Sequence, residues 1–284
     1  MRKYLVIILL FICLFISGCS KDSDKSVIRN INDLFNKSKG YYLSGNLSIF
    51  NNDDNYTYDV DVYYKKDDYY KVILTNKMNS HTQIILKNDD GVYVLTPALN
   101  KSFKFQSDWP NDNSQIYLLD SLLRDISNDD VKVMELSVDK INLSYKFDDN
   151  CFDLDSFITA NGITEDTSEM SSLDDIIYPL YLPAGTKLVE ESRIDKDNGE
   201  RVIMTYDGEK SFLLVEETLD VFDEFTVIPT MGEPYQLLDT LGVMTDNSLS
   251  WVSGNTEYYL VSDVMSVSEL LEVAESIVAV PALK

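Results

Sequence analysis

Basic residues, histidine and cysteine are all scarce in this chain, and each scarcity removes a class of function. Lysine and arginine together number 24 against 48 aspartates and glutamates, which leaves a formal net charge of −24. Nucleic acid is therefore excluded as a partner, since binding it requires a basic footprint. Anionic lipid headgroups would also be repelled by this surface. A tight protein partner is expected to present a basic or an apolar face.

The shortage of histidine and cysteine limits the catalysis that the chain could support. The single histidine, His81, lies at the start of a predicted strand and is interpreted as a strand residue. Of the three cysteines, Cys13 and Cys19 belong to the N-terminal segment, so Cys151 is the one thiol left, interpreted as a small packed residue. Neither a Cys-His nor a Ser-His-Asp arrangement can be assembled from this set. With no zinc, phosphate-loop or hydrolase motif present, we predict a protein that is not an enzyme and has no cofactor.

Two local patterns suggest a site and are explained better by structure. Asp195–Glu200 superficially resembles a calcium loop, but its glycine is fifth rather than sixth and Tyr206 occupies the twelfth position. The Asn-Gly pair inside this stretch instead predicts a β-hairpin turn. Trp109 and Trp251 both lie beside turn residues and are interpreted as core side chains rather than a ligand box. No metal site is therefore predicted.

No apolar run reaches the roughly 20 residues of a membrane-spanning helix, and the longest one has another explanation. It runs from Tyr4 to Ile16, follows Met1-Arg2-Lys3 and ends in small residues, as in a secretory signal. The ending Ile16-Ser17-Gly18-Cys19 resembles a lipobox, which implies cleavage before Cys19 and a diacylglycerol thioether plus an N-acyl chain on that residue. The alternative is an ordinary signal peptide that happens to contain a cysteine. Acyl chains on Cys19 would suffice for stable anchoring to the outer face of a cell membrane.

The rest of the chain is predicted to form one domain after a short tether. Residues 1–18 are the signal, residues 19–26 a lipidated tether, and residues 27–284 the folded domain. Apolar residues at helical spacing predict helices over residues 27–36 and 116–126, the second with Ser114 as N-cap. A capping box, Ser266 to Glu269, predicts a terminal helix that continues to about Val278.

Alternation with period two predicts a long series of strands separated by turns. The predicted strands cover residues 41–50, 56–64, 69–75, 81–87, 91–96, 101–106, 131–136, 143–147, 152–158, 186–194, 201–206, 212–217, 235–238, 243–245, 250–253 and 257–262. Residues 161–172 are polar and are predicted to be a mobile loop. The first six strands are expected to form an antiparallel meander with one apolar and one solvent-exposed face. A partly open barrel with helices on its concave side accounts for this order, and a closed sandwich is the alternative.

Several blocks of sequence carry a resemblance to a known family. The most distinctive block runs from Gly91 to Pro110, and Asn113–Leu119 continues it. Further likeness is found in the segments Arg201–Phe212, Thr245–Trp251 and Glu257–Ser262. Together these blocks resemble the LolA-like lipoproteins of spore-forming Gram-positive bacteria, with the germination lipoprotein GerS as the functional type. The resemblance implies a mainly β (α+β) fold, an open antiparallel half-barrel of about eleven strands with a few helices over its concave face.

The resemblance also implies a role in sporulation or germination. A GerS-type protein binds and activates a cell-wall amidase that modifies cortex peptidoglycan, so the expected partners are the membrane, through the lipid anchor, and such an amidase. The expected location is the extracytoplasmic face of the cell membrane, including the forespore membrane space. One alternative is a protein that holds a lipid or lipoprotein acyl chain in the concave face, although a tethered carrier cannot shuttle freely. A second alternative is a sensor of a sigma-factor pathway, and homodimer formation stays open.

Overall fold

Two open β-sheets and a few helices make up the structure. The computed structural model describes residues 23–278, except for 52–53, 107–108, 110–114, 116, 120, 123–133, 162–172, 174–175, 197–198, 223 and 255. Its α-helices are α1 (Ser23–Lys37), α2 (Leu154–Asn161) and α3 (Val267–Val278), with a 3₁₀ turn at Pro97–Leu99. Within these residues no helix has the length and apolar character that crossing a membrane requires.

Fifteen strands are found in the described residues. They are β1 (Gly40–Asn51), β2 (Asp54–Lys65), β3 (Tyr69–Asn76), β4 (Thr82–Asn88), β5 (Gly91–Thr96), β6 (Lys101–Phe105), β7 (Met134–Asn142), β8 (Lys187–Lys196), β9 (Gly199–Asp207), β10 (Phe212–Thr218), β11 (Thr226–Thr230), β12 (Glu233–Gln236), β13 (Leu241–Met244), β14 (Ser248–Ser253) and β15 (Thr256–Val261). The mainly β class, the open sheets and the small number of helices are as predicted. The strand count exceeds the eleven that the resemblance implies.

The first sheet has eight strands in the order β11-β6-β5-β4-β3-β2-β1-β7. Strands β1 to β6 form the predicted antiparallel meander, and β7 pairs with β1 at the far edge. At the opposite edge β11 runs parallel to β6. Strand β11 was not predicted from the sequence. Its sequence, Thr-Val-Ile-Pro-Thr, contains a proline, which lowers the strand propensity and suits an edge position.

The second sheet has seven strands in the order β12-β13-β14-β15-β10-β9-β8. The predicted hairpin between β8 and β9 is confirmed, because the two strands pair from Lys196 opposite Gly199 outward; its two turn residues lie outside the described part. The terminal helix is also confirmed. Its capping box is formed by the Ser266 N–H donating to Glu269 Oε2 at 2.8 Å and the Glu269 N–H donating to Ser266 Oγ at 3.4 Å.

One continuous apolar core contains side chains from both sheets. Strand β1 shows why, because every second residue from Tyr41 to Ile49 is buried while the residues between are half-exposed. The inner face of the second sheet contributes the same alternation, for example from Phe212 and Leu214 on β10. Helix α3 packs Leu270, Val273, Ala274 and Ile277 into this main core. The two sheets therefore bury one shared interior.

A polar seam also joins the two sheets at the turn Leu237–Leu241, which connects β12 to β13. Three neighbouring strands of the first sheet reach this turn: the Tyr58 hydroxyl donates to Leu238 O at 2.8 Å and the Asn76 amide donates to Asp239 O at 3.2 Å. The Gln83 amide donates to Leu241 O at 3.1 Å and accepts the Leu241 N–H at 2.6 Å. Gln83 thus pairs with Leu241 as a backbone strand would.

The prediction that the meander has one solvent-exposed face is wrong over β3, β4 and β5. A second apolar cluster, the outer cluster, lies there and includes Ile84, Leu86, Tyr93, Leu95 and Phe152. Half-buried Phe147, Cys151 and Phe157 pack against it from the segment that follows β7. Residues of this irregular segment and of α2 therefore cover this face, which explains why β4 and β5 are almost continuously apolar.

Two of the predicted strands between the sheets are also wrong. Residues 143–147 form a turn and an irregular segment, because the Asn142 side chain accepts the Ser144 N–H at 3.0 Å and ends β7. Residues 154–161 form α2 rather than a strand, because Asp153 Oδ1 accepts the Ser156 N–H at 2.7 Å and caps a helix. Short apolar runs do not separate these alternatives by periodicity.

Other boundaries differ less from prediction. The strand predicted at 131–136 begins at Met134 and extends to Asn142, and residues 131–133 are outside the described part. Helix α1 begins at Ser23, so the last four residues of the predicted tether are helical. Of the helix predicted at 116–126, Leu119, Ser121 and Leu122 are helical, and Ser114 lies outside the described residues, as does nearly all of the loop predicted at 161–172.

The seam generates a stability prediction. We expect Gln83→Ala to lower the free energy of unfolding by about 2–4 kcal/mol, because the buried N–H and carbonyl groups of Leu241 lose their partner. Urea denaturation followed by circular dichroism measures this loss. The matched control is Gln106→Ala, since Gln106 is exposed. An equal effect of both substitutions would contradict the assigned role of Gln83.

Candidate functional site

A fully buried carboxylate lies at the centre of the second sheet. Glu216 is on the inner face of β10, where the alternation that buries Phe212 and Leu214 also buries this residue, leaving it 0% exposed. Across the sheet it is opposite Val202 on β9 and Tyr258 on β15. The Tyr258 ring stacks on Trp251 with centroids 5.0 Å apart, which closes the site on one side with aromatic surface.

Glu216 binds the backbone of a segment that precedes β8. The Ile177 N–H donates to both carboxylate oxygens, at 3.1 and 3.2 Å. The pKa of Glu216 is raised to about 7, mainly because the carboxyl group is buried. The hydrogen bond from Ile177 lowers this pKa, and the nearby charge of Glu191 raises it. A buried carboxylate is costly, so the hydrogen bond from Ile177 both stabilises the charge and fixes that segment.

We call the segment from Ile176 to Pro183 the strap. Ile176, Ile177 and Leu182 pack against the main core. On one side of the strap the Tyr178 hydroxyl donates to Glu191 Oε2 on β8 at 2.6 Å. On the other side the carboxylate of Glu272 on α3 raises the pKa of Tyr181. Hydrogen bonds therefore hold the strap to two different elements, β8 and β10.

A second carboxylate, that of half-buried Asp239, lies in the polar seam. It accepts a hydrogen bond from Ser253 Oγ at 2.5 Å, and burial raises its pKa to about 6. The backbone carbonyl of Asp239 accepts the Asn76 amide from the first sheet, and its side chain accepts the Ser253 hydroxyl from the second. Asp239 is therefore part of the connection between the sheets. No group of three or more His, Cys, Asp or Glu side chains within the described part of the chain could hold a metal ion.

A cleft of about 380 Å³ lies where the edges of the two sheets meet. Its lining combines apolar residues such as Phe103, Val243 and Trp251 with an ion pair, in which Lys101 Nζ lies 2.8 Å from Glu257 Oε1. Much of that volume is open to solvent, and the space that a water-sized sphere can occupy is about 20 Å³, far below the roughly 300–1,000 Å³ found for ligand sites. Since the main core fills the inner faces next to it, the geometry gives no specific support to the acyl-chain alternative.

Of the residues singled out from the sequence, those that the structure describes do not form one site. Cys19 and the lipobox residues Ile16, Ser17 and Gly18 lie outside the described residues. His81 lies one residue before β4, and burial lowers its pKa. Cys151 packs against the outer cluster, which agrees with its interpretation as a packed residue.

Both tryptophans agree with their interpretation as core side chains. Trp109 is 1% exposed and Trp251 is 3% exposed, and both belong to the main core. Sequence reasoning missed Glu216 and the strap. The available signal was a glutamate at an inward position of a predicted strand, in phase with Phe212 and Leu214.

Comparison with known proteins assigns a family. The chain is 32% identical over 327 residues to "Sporulation protein YdcC" of Bacillus subtilis (strain 168), and the match covers 97% of each chain. The chain belongs to the family of sporulation protein YdcC. No family model matches the chain. The sporulation part of the predicted resemblance is confirmed at this level, whereas the GerS type stays a prediction.

Two solved structures show a remote similarity to this chain. One is "The complex structure of Pseudomonas aeruginosa MucA/MucB", with 12% identity, coverage of 88% of this chain and 97% of the other, and a TM-score of 0.25. Another is a DUF1329 family protein from Desulfovibrio piger ATCC 29098, with 12% identity, coverage of 87% and 95%, and a TM-score of 0.21. At these TM-scores the structural matches add nothing to the functional argument.

The buried carboxylate predicts a pH dependence of stability. Between the ordinary glutamate pKa and about 7, folded Glu216 keeps a proton that the unfolded chain has released, so stability falls as the pH rises through that window. The contribution has an upper limit of about 3 kcal/mol. We expect Glu216→Gln, which cannot ionise, to show a smaller loss of stability between about pH 5 and about pH 8.

Urea denaturation at both pH values measures the difference. Glu190→Gln is the matched control, because Glu190 is exposed on β8. Asp239 contributes a slope of the same sign to every variant, so the comparison between variants isolates Glu216. An unchanged pH slope in Glu216→Gln would show that this carboxylate is not the group responsible.

Proposed function

We propose that this protein is a membrane-anchored, non-catalytic lipoprotein that acts in spore cortex modification or germination by binding and regulating a cell-wall amidase. The observation that carries the proposal is the end-to-end relationship to a sporulation protein, at 32% identity over 97% of both chains. Because the alignment covers nearly all of both chains, it supports a role shared by the whole protein rather than by one common module.

The N-terminal sequence supports anchoring. The lipobox-like ending at Cys19 directs the mature domain to the extracytoplasmic face of the membrane, where cortex precursors and amidases are accessible. The short stretch between Cys19 and the start of α1 at Ser23 keeps the domain close to the lipid surface. A tethered binding protein of this kind would hold its partner at the membrane.

The fold supports binding rather than transport. Both sheets place their inner faces in one packed core, so the described interior is occupied by side chains such as Tyr58, Trp109 and Trp251. The features that remain for function are therefore surfaces. A net charge of −24 favours a partner with a basic face, since complementary charge increases the rate and specificity of association.

A pull-down from sporulating cells tests the proposal. We expect the wild-type protein, tagged at its C-terminus and extracted with detergent, to recover a cell-wall amidase from the membrane fraction. We expect Cys19→Ala to lose membrane association, because the thioether-linked lipid cannot be attached, and to recover less amidase from that fraction. Mass spectrometry of the purified protein would check the lipid on Cys19 directly. Failure to recover any cell-wall hydrolase with either protein would contradict the proposed function.

A further inference from the structure

The tip of the strap is Leu180, which has the most exposed large apolar side chain among the described residues. Leu180 is 75% exposed, and Tyr178 and Tyr181 on either side of it are 44% and 41% exposed. A leucine with this exposure contributes nothing to the core. Exposed apolar groups that are close together indicate an interaction site when they are held in place.

The strap holds Leu180 in one position. Before the tip, the Ile177 N–H is bound by buried Glu216, and the Tyr178 hydroxyl donates to Glu191 on β8 at 2.6 Å. Pro179 and Pro183 are buried, and their rings restrict the backbone on both sides of the tip. A side chain that is already ordered loses little entropy when it binds. These features are those of a pre-formed anchor.

Charge decides between candidate occupants of this surface. Glu191, Glu269 and Glu272 lie close enough to the strap tyrosines to act on their ionisation. Among the described residues, the cations that form ion pairs with them are Arg193, 3.9 Å from Glu191, and Lys210, 2.9 Å from Glu269. Carboxylates therefore outnumber cations in this group of side chains. A second copy would bring two such acidic borders together, each on a chain with a net charge of −24.

We propose that Leu180, presented by the strap, inserts into an apolar pocket of the protein partner, and that lysine and arginine side chains border this pocket. The inference rests on the proposed function and assigns the contact surface for the amidase. Anchors of this kind give a large share of the binding energy when the surrounding contacts exclude water. The carboxylates around the strap would form the polar border of the interface.

Binding of the purified amidase, obtained by the pull-down above, to purified full-length variants tests the inference. We expect Leu180→Ala to weaken binding at least tenfold, a loss typical of an interface anchor. The matched control is Met78→Ala, because Met78 is 71% exposed in the β3–β4 connection and has no place in the strap. We expect that control to change the affinity less than twofold. Since both side chains are exposed, circular dichroism should show unchanged folds.

The salt dependence and a cross-linking experiment separate the outcomes. A basic border predicts an affinity that falls several-fold as ionic strength rises, and an affinity independent of salt would overturn that part of the inference. A photo-reactive amino acid in place of Leu180 should cross-link to the amidase. Cross-linking to a second copy or to lipid, or equal binding by the Leu180 and Met78 variants, would overturn the inference and leave the proposed function standing. If wild-type protein binds no amidase, both fail.

Discussion

The structure depends on the packing of two open sheets against each other, because each has an apolar inner face that must be buried. Each sheet presents one apolar face, and an open sheet cannot cover that face with its own strands. Packing them together produces a single main core, which contains Leu43 and Val60 of the first sheet and Met204 and Leu260 of the second. The polar seam then fixes their relative position, because Tyr58, Asn76 and Gln83 replace the water around one turn. Burial of apolar side chains supplies most of the stabilising free energy, and the hydrogen bonds of the seam fix how the two sheets are placed relative to each other.

This arrangement also accounts for the buried carboxylate. The inner face of β10 must be covered, and the strap covers part of it with Ile176, Ile177 and Leu182. A segment without regular structure brings unpaired backbone groups into the interior, and Glu216 accepts one of them. The cost is a carboxylate whose pKa is raised to about 7. The benefit is a segment whose exposed side is ordered.

Anchoring and partner binding become parts of one scheme. Lipidation at Cys19 would confine the domain to a membrane surface, where even moderate affinity for a co-localised partner is effective. An apolar anchor with an acidic border would select a partner of opposite charge and discourage self-association. Regulation of an amidase by such a protein would require no catalytic residue in the protein itself.

The sequence by itself determined the features that depend on near neighbours along the chain. The alternation in β1 to β6, the Asn-Gly hairpin and the Ser266–Glu269 capping box were predicted because each is set by a few consecutive residues. Only the tertiary structure decided the grouping into two sheets and the parallel pairing of β11 with β6. It also decided the pairing of Glu216 with Ile177, which is 39 residues away. Contacts between distant segments leave no periodic pattern, so local sequence does not reveal them.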